Sequence, residues 1–457
     1  MEPRIRPGDR VATADLGEGV VVEVLGDRAN VTLEDVNNLV IGYSLSDLRR
    51  LQPSVPDITV EDIQPSLRCG AGDSFERSLI RFRRAIDALR FGLVPVDVLE
   101  EVTIGYSTLQ NWVLGRLPDK HRGAATFSEV SGPFGSGKSH AMAIVRHVAQ
   151  KAGYVTAHVQ IDGKLVSLSD PKKLLEELWR TLSFDGGTST TPLLDLYEKA
   201  INSGKRAPTT TSEPIDRIGD NYRMVQLLAR SGQLRKYAAD LDGVISCSAD
   251  VRVSDLSTEI SREPNINRFD VKIRPMIGRA ITDRPRDLVQ SLAGHATVAE
   301  LAGFPGLVVT IDEFEIEHFE PKRLERTVAA VVALNNYLAG ASTYPPAPLG
   351  LFVASVGQAG HVGDRVLECI VKNTGGDLHY LRELTESDLQ DLAGRIHQIY
   401  CRAYKVYEPL PADQMQAVLE CARRSDKSDS GFIRTFIKGF VARCDAAFGP
   451  PGNDCVF

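Results

Sequence analysis

From residue 124 onward, two kinds of apolar run alternate along the chain. The short runs "AATFSEVSG", "YVTAHVQID", "GLVVTIDEF" and "LGLFVASVG" have the length and β-branched content of strands. The longer runs "SHAMAIVRHVAQKAG", "PKKLLEELWRTL" and "RLERTVAAVVALNNYLA" repeat their apolar residues at helical spacing. Strands alternating with helices predict an α/β fold, a parallel sheet with helices on its faces. Residues 185 to about 300 break the rhythm with "DGGTSTTP" and "RAPTTTSEP", then resume as helical pieces, and read as an insertion outside the sheet.

The pattern changes at both ends. Residues 6 to 52 hold short Val-, Leu- and Ile-rich runs separated by Gly and Asp, the signature of a small β-barrel. Three prolines between 53 and 74 mark a linker. In "FERSLIRFRRAIDALRFGLVP", Ser74 is placed to cap a helix. Phe75, Leu79, Phe82, Ile86 and Leu89 form its core stripe, and Arg77, Arg81 and Arg84 share another face. That basic face fits a nucleic-acid or subunit contact, or a solvated surface. The last eighty residues read as a helical lid, opened by Thr385 and Asp388 in a variant capping box ahead of Leu389, Leu392, Ile396 and Ile399. The expected organisation is therefore a barrel at 1–55, a linker and helical segment at 56–120, an α/β core at 121–380 and a lid at 381–457.

Bulk properties narrow the classes. With 457 residues the chain can hold several domains. It lacks any run of about 18 apolar residues, which argues against a membrane span. "MEPRIRPGDR" has no apolar stretch of a signal peptide, so a cytoplasmic location is expected. Seven scattered cysteines without a CxxC pair do not make a zinc site. The net charge of −7 speaks against broad autonomous DNA binding, though not against a local basic patch.

One stretch carries specific chemistry. In "TFSEVSGPFGSGKSHAMAIV", Gly132, Pro133, Phe134, Gly135, Ser136, Gly137, Lys138 and Ser139 fit G-x-x-x-x-G-K-[ST], between a strand and a helix. Glycines there let the backbone curl so that successive N–H groups converge on phosphate oxygens, and the following helix adds its positive end. Lys138 is expected on the β- and γ-phosphates and Ser139 on Mg²⁺, with His140 next in line along the loop. Such a P-loop needs an acid on a neighbouring strand. "GLVVTIDEFE" supplies Asp312 to hold Mg²⁺ and Glu313 to polarise the attacking water, while Glu315, Glu317 and Glu320 read as solvated. The cofactors implied are ATP and Mg²⁺. At the end of "LGLFVASVG", Ser355, with Gln358 second, is the candidate to touch the γ-phosphate. Arg434 in "GFIRTFIKGF" is the candidate cation reaching over the nucleotide. Arg365 is a candidate finger completing a neighbouring copy's site, with Arg323 and Arg326 as rivals, which leaves a homo-oligomer open.

Taken together, "RRAIDALRFGLVP", "VSGPFGSGKSH", "VVTIDEFE", "LRELTESDLQDLAGRI" and "GFIRTFIKGF" resemble the BREX-type ATP-binding proteins over about residues 75 to 445. That resemblance implies an AAA+-like P-loop ATPase with a helical lid, acting in bacterial anti-phage defence beside partners such as a helicase. It carries Lys138, Ser139, Asp312 and Glu313 over to phosphate, magnesium and water. "GFIRT" lacks the proline expected before the arginine. "GDRVATADLGEGVVVEVLGDRANVTLE" separately resembles a Tudor- or SH3-like module, which implies protein binding. Two other functions fit the same motifs: a sensor that binds ATP without hydrolysing it, and a scaffold whose barrel recruits partners.

Overall fold

The computed structural model describes residues 10–13, 17–25, 28–33, 39–44, 48–50, 73–118, 125–184, 189–204, 216–246, 256, 258–260, 262, 285–317, 321–342, 344, 346–356, 362–406, 408, 416–420 and 431–448. For residues 10–50, 73–78, 216–220, 285–286, 321–322 and 362–365 the description is of the backbone alone. The chain divides into two compact units, Met1–Asp73 and Ser74–Phe457.

In the first unit, strands β1 (Arg10–Thr13), β2 (Gly17–Leu25), β3 (Arg28–Leu33), β4 (Leu39–Ser44) and β5 (Leu48–Arg50) form one sheet in the order β4-β3-β2-β1-β5. The pairs are antiparallel, and β1 is flanked by β2 and by β5, the last strand of the unit. A register shift between Val21 and Glu23 bends β2 against β3.

The second unit is built on a parallel sheet of β6 (Thr126–Ser131), β7 (Val155–Gln160), β8 (Leu307–Asp312), β9 (Leu349–Ser355) and β10 (Asp377–Tyr380). Its order is β10-β6-β9-β8-β7. Every residue of β8 and β9 is buried, as expected of central strands covered on both faces. Four of the five strands coincide with the short apolar runs. The fifth, β10, is an edge strand of four residues with alternating partial exposure, too short and too polar to register as a run. The described residues between β7 and β8 include the helices Pro171–Arg180, Pro192–Asn202, Asp216–Arg230, Ala238–Ile245 and Pro285–Leu301.

Each face of the sheet has its own core. The helix Lys138–Lys151 buries Ala141, Met142, Ile144, Val145 and Val148 with Val130, Val308, Phe352 and Ala354 on one side. On the other, the helices between β7 and β8 join Pro321–Leu338 and Val362–Thr374. A third core unites opposite ends of the unit. Phe82, Ile86 and Leu89 of helix Asp73–Phe91 pack with Leu389, Ile396 and Tyr400 of Glu386–Tyr404 and with Phe436, Phe440 and Val441 of Phe432–Phe448. Three of the five stripe residues expected on the first helix are therefore buried. Leu79 is half-buried, and the side chain of Phe75 lies outside the described residues. The helix already includes Asp73, which moves Ser74 from the cap into the first turn. Thr385 does cap Glu386–Tyr404, with its hydroxyl accepting from the Asp388 N–H and the Asp388 carboxylate accepting from the Thr385 N–H. Ile86 is fully buried in this shared core. Ile86→Val is expected to lower unfolding free energy by about 1 kcal/mol in a denaturant titration. An unchanged midpoint would mean that the two chain segments do not cover one another.

Candidate phosphate-binding site

The loop between β6 and the helix Lys138–Lys151 is held at its start by neighbouring strands. The Gly132 N–H donates to the Ser355 carbonyl at 3.2 Å, and the Leu381 N–H donates to the Ser131 carbonyl at 2.8 Å. A Cβ at position 132 would come within 2.7 Å of Ser136 Oγ and 3.1 Å of Leu381 Cβ, so any larger residue would have to displace both neighbours. Gly135 and Gly137 turn the chain through the left-handed region, with φ of 77° and 94°. Ser136 Oγ is buried without a hydrogen-bond partner, a polar atom inside the curl with no protein group to satisfy it. Lys138 and Ser139 then open the helix, whose first N–H groups have no partner within it. Curled backbone, unpaired donors, a hydroxyl and an ammonium are the donor set a polyphosphate requires, so the residues present fit it.

Lys138 is buried, and its ammonium donates to the carbonyls of Gly132 (3.1 Å) and Pro133 (3.3 Å) and lies 5.1 Å from the centre of the Phe134 ring. Its acidic neighbour is Glu315, with Oε1 at 3.7 Å. Glu315 and Glu317 therefore overturn the expectation of solvated side chains. The Glu315 side chain is only 4% exposed, and Glu317 is buried. The short helical turn Phe314–Ile316, anchored by buried Phe314, folds this segment back inward. Glu320 lies outside the described residues.

Asp312 ends β8 and is buried, accepting the Glu313 N–H on Oδ1 at 2.9 Å. Glu313 adopts φ 57°, a left-handed conformation costly for a residue with a side chain, which marks the turn as held by its surroundings. Burial pushes the Glu315 carboxyl above its usual range, with smaller pushes from Asp312 and Glu313, while its own backbone N–H and then Lys138 oppose them. Asp312 also supports a buried cation. Arg146 donates to Thr310 Oγ1 at 3.3 Å, and burial lowers its pKa against the pull of Asp312. Burial and the Arg146 charge bring His158 down to about 4.

The acid strand does not adjoin the loop strand. β9 pairs with β6 on one side and with β8 on the other, so it lies between them. Ser355, at the end of β9, is fully buried and donates its one proton to Glu129 Oε1 at 2.6 Å. Its hydroxyl is committed to the sheet rather than presented as a donor to a phosphate. Gln358 lies outside the described residues. The stems of Arg434 and Lys438 lie over Gly92, where a Cβ would meet Arg434 Cγ at 2.8 Å. That is the C-terminal end of the first helix, and the two cations complement its partial negative charge. Arg323 donates to the Gly163 carbonyl at 3.0 Å, Arg326 is exposed, and the side chain of Arg365 is outside the described residues. On the first helix Arg81 pairs with Glu101 and donates to the Asp97 carbonyl at 2.6 Å, Arg84 is exposed, and the Arg77 side chain is not described.

His140 points away from a purely phosphate role. Thr103 Oγ1 gives its proton to the Leu99 carbonyl at 2.6 Å, so it accepts from His140 Nε2–H at 2.7 Å. Burial lowers the His140 pKa to about 4, so the ring is neutral. The Thr103 carbonyl in turn accepts from Arg395 at 3.0 Å. Thr103 thereby ties the loop helix to the C-terminal helices. Glu100 adds a second tie from the same segment to the loop helix, where Lys151 and His147 hold its carboxyl down at about 2. Sequence reasoning missed Thr103 and Glu315 as site residues. The only signal for Glu315 was a further acid closely following the "DE" pair.

For magnesium, Ser139 is exposed at the helix start and Asp312 is the carboxylate at the strand end. Among the described residues no group of three or more His, Cys, Asp or Glu side chains is arranged to hold a metal unaided. One hydroxyl and one carboxylate suit an ion that takes its remaining ligands from phosphate and water.

Comparison with known families places residues 80–212 in a match to the family described as BREX system ATP-binding protein BrxC/D. The matched segment contains the first helix's core residues, the loop and β7, and ends before the acid strand. It is shorter than the extent, about 75 to 445, over which the sequence motifs suggested the likeness. No curated protein matches the chain significantly. No helix of the described residues is long and apolar enough to cross a membrane.

Proposed function

We propose that this chain is an ATP-binding and ATP-hydrolysing subunit, AAA+-like in its core, of a bacterial BREX-type anti-phage defence system. The observation that carries the reading is the Gly132–Ser139 loop, with Lys138 buried 3.7 Å from Glu315, whose carboxyl also feels the charges of Asp312 and Glu313. A strand between the loop strand and the acid strand supports the AAA+-like assignment, and the match over residues 80–212 supports the family.

In this reading the loop N–H groups and Lys138 bind the phosphates, and Ser139 and Asp312 hold magnesium. Held by these two residues, magnesium would supply neutralisation of phosphate charge. Glu313 takes a proton from the attacking water, and the buried walls exclude other water. Thr103 conveys changes at the loop helix to the lid. Partners are other defence proteins, a helicase among them, with DNA touching Arg77, Arg81 and Arg84 and a Tudor- or SH3-like first unit engaging proteins. The chain works in the cytoplasm and assembles with copies of itself.

Steady-state phosphate release from ATP, measured across protein concentration with and without duplex DNA, tests the proposal. Magnesium-dependent turnover is expected, rising with concentration or DNA. ATP bound without phosphate release would leave a non-hydrolysing sensor instead.

A further inference from the structure

Two buried carboxylates follow the acid pair, and the protein treats them differently. Glu317 is fully anchored. Its Oε1 accepts from Ser167 Oγ at 2.7 Å and Thr327 Oγ1 at 3.2 Å, and its Oε2 accepts the Leu168 N–H at 2.9 Å. That carboxylate pins the segments after β7 and β8 together. Glu315 has no such set. Its Oε2 is buried without a hydrogen-bond partner among the described residues, and its Oε1 faces Lys138 at 3.7 Å. That separation is beyond a hydrogen bond and within an ion pair. Lys138 spends its hydrogen bonds on the Gly132 and Pro133 carbonyls. Glu315 is thus a carboxylate kept in a dry place by its own backbone N–H and by a single ammonium, against the repulsion of Asp312 and Glu313.

The geometry points to Glu315 as a built-in competitor of the nucleotide, holding Lys138 as a substitute anion that the terminal phosphate must displace. This rests on the nucleotide reading above and adds to it a residue that sets affinity rather than chemistry. A carboxylate oxygen and a phosphate oxygen make the same demand on an ammonium. Both cannot be served without placing a polyanion against a buried carboxylate that already faces two others. Exchange is made easy by the loose pairing distance and because the only other anchor is the residue's own backbone N–H, which does not hold Glu315 to Lys138. Glu317, two residues on, could not exchange in this way because three donors hold it.

The consequence is an affinity penalty carried by one charge. In the full-length protein, Glu315→Gln preserves volume and removes that charge, so ATP and ADP should bind about tenfold more tightly by titration calorimetry, the size of a partly screened ion pair. Inorganic triphosphate should compete more strongly to the same degree. Adenosine, which carries no phosphate to Lys138, should bind as it does to the parent protein. A merely structural Glu315 would give the opposite result, weaker binding of all four ligands and a lower melting temperature. Glu315→Asp retains the charge but shortens its reach, and should fall between the two. It decides the matter if the Gln variant does not fold. ATP affinity equal to or below that of the parent in the folded variants overturns the competitor role. A parent protein that binds no ATP overturns the nucleotide reading itself.

Discussion

Lys138→Ala should abolish detectable ATP binding in titration calorimetry, a loss of at least about a hundredfold. Each charge-assisted hydrogen bond to a phosphate contributes about 1.5–3 kcal/mol, and Lys138 is placed to make more than one. The loss is compounded by Glu315, whose carboxylate would then face the phosphates with no cation beside it. Truncation also leaves that carboxylate buried and unpaired, so a fall in thermal stability is expected alongside. The double variant Lys138→Ala with Glu315→Gln separates the two effects. It should recover stability and part of the affinity, a non-additivity typical of residues in contact. An ATP affinity in Lys138→Ala equal to that of the parent protein would refute the loop assignment.

Glu313→Gln should slow phosphate release by about a hundredfold to ten-thousandfold, the range expected for loss of a general base. ATP affinity should stay within a few-fold, since the substitution keeps the shape and removes only proton affinity. The left-handed backbone at Glu313 is unaffected, because Gln bears the same strain there. Single-turnover phosphate release reports the step directly. Unchanged release would move the proton-accepting role to another acid of the pocket. The pair Glu313→Gln and Glu315→Gln should split the kinetics, the first lowering turnover at saturation and the second lowering the ATP concentration needed for it.

Local signals in the sequence were enough for much of this architecture. The glycines of the loop encode its curl, so 132–139 could be placed without knowing anything distant. The apolar runs of β6, β7, β8 and β9 and the Thr385 cap are equally local. What could not be read depends on pairing across the chain. β10 exposes alternate residues at an edge and carries too few apolar positions to stand out. The insertion of β9 between the loop and acid strands is a matter of long-range order, invisible in either strand's composition. Glu315 and Glu317 look like surface acids because glutamate usually is one. Their burial follows from a tight turn and from partners such as Lys138 and Ser167 that come from far along the chain. The stem of Arg434 rests over Gly92, a contact between distant parts of the chain that neither segment announces by itself.

That packing of the first helix against the last has a bearing on how the molecule is made. During synthesis, Phe82, Ile86 and Leu89 leave the ribosome long before Leu389, Ile396 and Phe440, which cover them. The nascent chain must carry an uncovered apolar stripe through the translation of the entire sheet. Bringing the two ends together closes a loop that spans most of the chain, which sets a high entropic barrier late in folding.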